Sequence, residues 1–439
     1  ACVLVHGKLI SAIAEERLSR LKSDAGYPRK SIDYVLNQSG IRKKDIDLVV
    51  FAGRNAGLFH TLTKPSALFS VDDWIYQNEN YWKPKLIHKK KMTPLDDFNL
   101  FKNKIVDLEK NPYYDLVSQV EKNPNKNPVE ILNKIRMKTV VDQIGIDESK
   151  VVFIRHEECH QYYGFFSQKE KKENSLIFTI EGGGDDSSAT VSIANDGIIK
   201  EKYKTNYSCL GRLYRYTTLL LGMKPVQHEY KVMGLAPYGT SYHGEKSLNH
   251  FRKYDKVSNE KIFNQGVFDD VYYSSKKALE GQRFDGIAWG LQKYLEETLE
   301  KWIENNIIKY DIKDIILSGG VAQNIKAMQT LINNSSVNSL WVGPISGDGS
   351  LAIGAVWAAC KRHSNDKIQG LDTIYLGSEM NNKDINESLN KMSDNYSINE
   401  KYSSKDVAKW ISSGKIIARC EGRMEFGQRA LGNRSILAD

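Results

Sequence analysis

The alternation of apolar and polar positions opens on a hairpin. Ala1–Ala12, ACVLVHGKLISA, reads as two strands turning at His6-Gly7, since a short alternating run broken by a glycine-containing pair is what a tight antiparallel turn needs. Ala189–Glu201, ATVSIANDGIIKE, repeats the pattern with its turn at Asn195-Asp196-Gly197. DLVVFAG at Asp47–Gly53 is echoed by DIILSGG at Asp314–Gly320, each a buried strand that follows an amphipathic helix and closes on glycine. In the helix before the second, Phe284, Ile287, Leu291, Tyr294, Leu295, Thr298, Trp302 and Ile303 fall at the three-to-four spacing of one buried face. A third pair of strands, Val151–Ile154 and Leu340–Val342, runs straight into a helix on each side of the repeat.

Three matched elements in the same order predict two homologous α/β halves, residues 1–169 and 170–365, facing each other across a cleft lined by their strand-to-helix loops. Glu181–Ser188 (EGGGDDSS) precedes the second hairpin, and its first-half counterpart would lie before Ala1. The reading is therefore of a chain that starts inside a folding unit. It carries a long insertion over about residues 57–150, and a third unit, 371–439, that stops early.

Composition narrows the class. At roughly 150 residues per domain, 439 residues suggest about three structural units. An apolar fraction of 41 % excludes disorder as the dominant state, and no run approaches the ~18 apolar residues of a membrane span. Five widely spaced cysteines without a CxxC pair argue for a reducing, cytoplasmic setting and against a disulfide scaffold or cysteine zinc site. The net charge of +8 is dispersed apart from Lys89-Lys90-Lys91, which favours acidic ligands such as phosphates and falls short of a nucleic-acid partner. In the insertion, Trp74, Tyr76, Tyr81 and Trp82 interleave with Lys83, Lys85 and Lys89. They read as rings that pack the insertion onto the body or shape an acceptor pocket, rather than as a base-stacking platform.

Candidate chemistry lies in the loops. RHEECHQYYGFF starts directly after the strand Val151–Ile154, and His156 and His160 share one helix face at i, i+4, a spacing that chelates a metal. The string satisfies HExxH, but Tyr163 and Phe166 stand where the extended protease pattern wants glycine and histidine. Glu181, at the distance of a downstream third ligand, opens a glycine run instead of lying on a helix. A structural histidine pair and a metal site of another kind both remain open. Gly182, Gly183 and Gly184 would let backbone N–H groups approach a phosphate, with Asp185 or Asp186 holding a metal–phosphate through water; a tight hairpin also uses glycine. Gly319 and Gly320, between strand and helix in ILSGGVAQNIKAM, suit a nucleotide lying against the backbone or close strand–helix packing. By the duplication, Asp348 of SGDGSLAIGA corresponds to the histidines of the first half. Two imidazoles and one carboxylate across the cleft form a site with open positions, as a catalytic metal requires. Arg423, Arg429 and Arg434 stand among glycines near the end of the chain, suited to forked phosphate or carboxylate binding or to an ordinary basic surface.

KVMGLAPYG, LSGGVAQN, SGDGSLAIGA and GRMEFGQRALGNRSILAD together closely resemble the NodU/CmcH-type carbamoyltransferases, as does AIAEERLSRLKSDAGYP near the start. The resemblance covers nearly all of the chain apart from the insertion. It implies a duplicated, actin- and sugar-kinase-like (ribonuclease H-like) α/β domain with a central cleft, followed by the start of an α/β YrdC-like domain. It also implies an ATP-dependent transfer from carbamoyl phosphate, through carbamoyl adenylate, to a hydroxyl of a small metabolite. On that likeness His156, His160 and Asp348 hold a divalent metal, Fe(II) first and Zn or Mn as alternatives, while ATP enters with Mg. Asp348 and Lys231 act in catalysis, and Gly182, Gly183, Gly184, Asp185, Gly234, Gly319, Gly320 and Asn324 face the nucleotide. Arg423, Arg429 and Arg434 belong to the carbamoyl phosphate site. The likeness is compatible with a homodimer.

The departures are specific. The family's His-Asp pair would precede Ala1, Ser23 stands where many members have histidine, and Glu181 replaces an aspartate of the glycine loop. With most of the YrdC-like unit beyond Asp439, the expectation is a chain that uses a preformed adenylate without making one. A tRNA threonylcarbamoyl-transfer enzyme of the same fold and a non-catalytic nucleotide-binding module are the alternatives.

Overall fold

The computed structural model describes residues 1–24, 26–55, 69–104, 128–264, 270–392 and 402–439. Parts of the insertion fall outside them. The strands in chain order are β1 (Cys2–Val5), β2 (Lys8–Ala12), β3 (Val49–Ala52), β4 (Val151–Ile154), β5 (Asn174–Ile180), β6 (Ala189–Asn195) and β7 (Ile198–Thr205). They continue as β8 (Asp255–Ser258), β9 (Lys261–Asn264), β10 (Asp314–Ser318), β11 (Ser339–Val342), β12 (Ile417–Cys420) and β13 (Arg434–Leu437).

The expected hairpins are present. β1–β2 turns on His6 and Gly7 (φ 47° and 74°), and β6–β7 turns on Asp196 and Gly197 (φ 46° and 72°). Two successive left-handed residues match the right-handed twist of the flanking strands. The second half forms a five-stranded sheet in the order β11-β10-β5-β6-β7, with β11, β10 and β5 parallel and β6 and β7 antiparallel. This is the ribonuclease H-like strand order. In the first half β1 pairs with β2 and β3 runs parallel to β4, but β1 and β3 do not pair with each other. A cavity of about 1250 Å³ is lined by Ala1–Gly7 and Leu48–Gly53 and also by His156, Asp185 and Asp348.

Helices cover both faces of the large sheet. Leu176, Phe178, Ile180, Ile315 and Leu317 pack against the long helix Phe284–Tyr310 and its neighbours. Ile177 and Ile316, with the opposite side-chain phase, pack with Tyr163, Phe166, Ile353 and Trp357 of the helices His156–Phe166 and Leu351–His363. An unbroken apolar run within a strand, such as Leu176–Phe178 or Ile315–Leu317, is the pattern of a sheet buried on both sides. The long helix buries the expected face from Ile287 to Ile303, with Trp302 fully enclosed. Phe284 departs from that expectation: it is 63 % exposed. It occupies the first helical position, and the close packing starts only at Gly286, where an added Cβ would stand 2.4 Å from the His243 carbonyl oxygen.

In the described part of the insertion, Phe69, Phe98, Phe101, Leu132 and Ile135 make a small core of their own with Trp74 against it, and Tyr81 is buried. Trp74 and Tyr81 are thus packed, while Tyr76 is 49 % exposed. The C-terminal stretch docks onto β2: Ala12 N–H donates to the Leu376 carbonyl, and Arg17 Nη2 donates to the Gly427 carbonyl at 2.8 Å. All five cysteines are free thiols. No helix of the described residues is long and apolar enough to cross a membrane.

Candidate metal centre

The helix His156–Phe166 starts one residue after β4, so its first turn lies at the end of a strand pointing into the cleft. Its i, i+4 histidines lie side by side, ring centroids 4.9 Å apart. Asp348 sits just before the helix Leu351–His363 of the other half, and its Oδ1 is 3.6 Å from both His156 Nε2 and His160 Nε2. The fourth member is Glu181, the residue after β5, with Oε1 2.8 Å from His160 Nε2. One donor atom of each of these residues falls within 4.8 Å of every other, the spread of ligands around a common ion.

The donor set fits a divalent cation. Both Nε2 atoms are buried and without a hydrogen-bond partner; Glu181 Oε1 stands close but off the line that a hydrogen bond from His160 would need. Buried nitrogens without partners are costly, and a cation bound by their lone pairs removes that cost. The other ring nitrogen of His160, Nδ1, lies 3.4 Å from Ser318 Oγ, which fixes the ring. Burial opposes charge on His160, but Glu181 and Asp348 outweigh it and raise its pKa to about 9. For Asp348, desolvation in the cleft raises the pKa, and the His160 imidazole beside it, with the charges of His156 and Arg215, outweighs it, holding the carboxyl below its usual range.

Glycines let the walls close. Gly319 has φ 99°, and a Cβ there would lie 2.5 Å from the Ile180 carbonyl oxygen and 2.7 Å from Glu181 Oε1. Gly320 N–H donates to the same Oε1 at 2.6 Å. The two glycines thus hold Glu181 toward the histidines. Gly184 does the same for Glu157, whose Oε1 would be 2.4 Å from an added Cβ. Glu157 Oε1 accepts from Asp186 N–H (3.0 Å) and Ser187 N–H (2.9 Å). Asp185 answers from the loop, accepting from His156 N–H (2.8 Å), Arg54 N–H (2.7 Å) and Asn55 N–H (2.8 Å). The histidine-bearing helix and the glycine loop are latched by reciprocal carboxylates. Asp185→Ala is therefore expected to cost about 1–3 kcal/mol by leaving these donors without their acceptor, measured by urea unfolding, and to weaken divalent-metal binding through loss of the His156 anchor. Wild-type values for both would show that the latch contributes nothing.

The remaining sequence candidates are placed as follows. Gly182 and Gly183 line the loop, Gly183 with open space around it. Asn324 caps the helix Ile325–Ile332 through Ala327 N–H, and its amide pairs with Gln292 at 3.0 and 2.9 Å. Lys231 and Gly234 are exposed on the helix Glu229–Leu235. Arg423 donates to the carbonyls of Gly377, Ile10 and Leu376, and Arg434 to those of Glu421, Asn433, Ser378 and Gly422. Both guanidinium groups thus hold the C-terminal stretch together. Arg429 lies over the Tyr230 ring, 4.7 Å from its centroid. Two contributors escaped the sequence reading. Glu181 stands at the distance of a third ligand but opens a glycine run, which argues against that role, and Arg215 had no signal, because one arginine on an amphipathic helix looks like any solvated side chain.

Residues 1–360 match the family model of the carbamoyltransferase N-terminus, and residues 408–439 that of the carbamoyltransferase C-terminus. Nodulation protein NolNO of Sinorhizobium fredii is 27 % identical over 452 residues, covering 100 % of this chain and 58 % of its own. An uncharacterized Methanocaldococcus jannaschii protein, MJ1051, is 28 % identical over 99 % of this chain and 70 % of its own. The chain thus spans less than two thirds of NolNO. Among solved structures, full-length HypF in its phosphate- and nucleotide-bound form aligns with a TM-score of 0.35 at 11 % identity, over 55 % of this chain and 51 % of that one. With a family model matched from Ala1 to Cys360, through the cluster of His156, His160, Glu181 and Asp348, the chain belongs to the carbamoyltransferase family.

Proposed function

We propose that the chain is the acceptor-side portion of an ATP-dependent O-carbamoyltransferase, which takes its carbamoyl group from carbamoyl phosphate through carbamoyl adenylate and delivers it to a hydroxyl of a small metabolite. The observation that carries the reading is the cluster of two histidines and two carboxylates, built by loops of both halves inside a chain of this family. Its residues suit iron(II), zinc or manganese, and such an ion supplies Lewis-acid polarisation of a carbonyl or phosphoryl oxygen.

The protein's own groups do the rest. His156, His160, Glu181 and Asp348 fix where an anionic substrate group is drawn. The Glu157–Asp185 latch keeps the glycine loop, with its open Gly183, beside that point. A carbamoyl carbon is a sluggish electrophile, so orienting it toward a hydroxyl and offering AMP as leaving group are the main requirements. Lys231 and the C-terminal arginines are assigned supporting roles by family likeness, with the YrdC-like unit starting near Leu371.

The test is pyrophosphate release from ATP with and without carbamoyl phosphate, on a polypeptide covering the full length of the relatives and on Ala1–Asp439 in parallel. Release by the longer polypeptide is expected only when carbamoyl phosphate is present. Release that ignores carbamoyl phosphate, or none at all, overturns the reading.

A further inference from the structure

Arg215 lies on the helix Leu210–Leu220, whose other inward residues, Leu213 and Tyr214, are buried in the main core. Its guanidinium reaches over the glycine loop: Nη2 and Cζ are 3.0 and 3.3 Å from where a Cβ on Gly182 would stand. Its charge also acts on Asp348 of the cluster. Other cleft-side arginines are committed. Arg155 pairs with Glu201 and Asp186, Arg136 donates to the Gly53 and Ala52 carbonyls, and Arg423 and Arg434 are taken up by main-chain carbonyls. Among the described residues Arg215 makes no hydrogen bond and no ion pair. A guanidinium is a planar fork of donors matched to phosphate oxygens. Here it stands between an open glycine loop and a cluster suited to a cation.

We propose that Arg215 is the phosphate-binding residue of this cleft, receiving the 5′-phosphate of a nucleoside monophosphate group beside the residues that would hold a cation. The assignment rests on the carbamoyl-transfer reading, in which the transferred group arrives attached to AMP. It explains why position 182 is glycine: any side chain there would meet the guanidinium and turn it from the loop.

The experiment is calorimetric titration of the manganese-loaded chain with 5′-AMP and, separately, with adenosine. Wild type is expected to bind AMP more tightly than adenosine. Arg215→Gln is expected to weaken AMP binding by about 10- to 100-fold, the range for losing hydrogen bonds to a charged group, with adenosine affinity unchanged at saturating manganese. Arg215→Lys should recover part of the loss, and Gly182→Ala should weaken AMP binding a few-fold by displacing the fork; these two decide the matter if Arg215→Gln does not fold. Equal AMP binding by wild type and all three variants overturns the assignment while leaving the carbamoyl-transfer reading intact. A wild type that binds AMP no better than adenosine overturns both.

Discussion

Replacing His160 with alanine is expected to abolish tight divalent-metal binding. His160 is fully buried, its Nε2 has no hydrogen-bond partner, and its Nδ1 is oriented by Ser318. Loss of an outer partner such as Ser318 costs roughly 10- to 100-fold in metal affinity, so removing the ligand itself should exceed that. Calorimetric titration with zinc or manganese checks it, and wild-type affinity in His160→Ala would mean that the cluster is not the metal site. The pH dependence carries a sign. With a pKa of about 9, the metal-free His160 holds a proton at neutral pH that a metal must displace. Affinity should therefore rise with pH up to about 9, by at most about tenfold per unit. The stability of the metal-free chain runs the other way. The raised pKa of His160 contributes stability that is complete below its ordinary value of 6.5 and is lost as the pH climbs through about 9.

Gly354→Val is expected to destabilise the chain by about 3 kcal/mol or more, at the upper end for overpacking a core. A Cβ at Gly354 would stand 1.9 Å from the Cys159 carbonyl oxygen and 2.6 Å from its carbon. Both are main-chain atoms and no rotamer change moves them aside. The contact joins the helix after Asp348 to the helix turn between His156 and His160, so forcing it open separates the ligands of the two halves. Metal affinity should fall with the urea midpoint. Gly234→Ala is the contrast: it lies in a helix with nothing within 4 Å of the added atom, and should be neutral or stabilise by up to about 1 kcal/mol. A midpoint unchanged in Gly354→Val would contradict this helix packing.

Much of this arrangement was legible in the sequence, for reasons that can be named. The strands β5 and β10 each carry an unbroken apolar run, Leu176–Phe178 and Ile315–Leu317, and the turns at His6-Gly7 and Asp196-Gly197 carry the residues that their backbone angles favour. Periodicity and turn chemistry are local, so the two halves could be aligned from the text. Through that alignment Asp348 is paired with His156 and His160, and in the structure its Oδ1 lies 3.6 Å from each Nε2. Glu181 was harder: its carboxylate reaches His160 only because Gly319 adopts φ 99° beside it, and that approach depends on a residue more than a hundred positions away. Asp185 shows the opposite limit. An acidic residue after three glycines invites a phosphate or metal role, yet here it accepts three main-chain N–H groups. Arg423 and Arg434 likewise meet carbonyls that no spacing rule reveals.

The docking of the C-terminal stretch has a consequence for shortened versions of this chain. Ala12 N–H donates to the Leu376 carbonyl, Arg17 to that of Gly427, and Arg423 to that of Ile10. A cut made near Leu371 would take these partners from β2 and the helix after it, leaving strand groups open to any extended peptide. The stretch from Leu376 to Gly427 thus works as a cover for the first hairpin, whatever else it contributes.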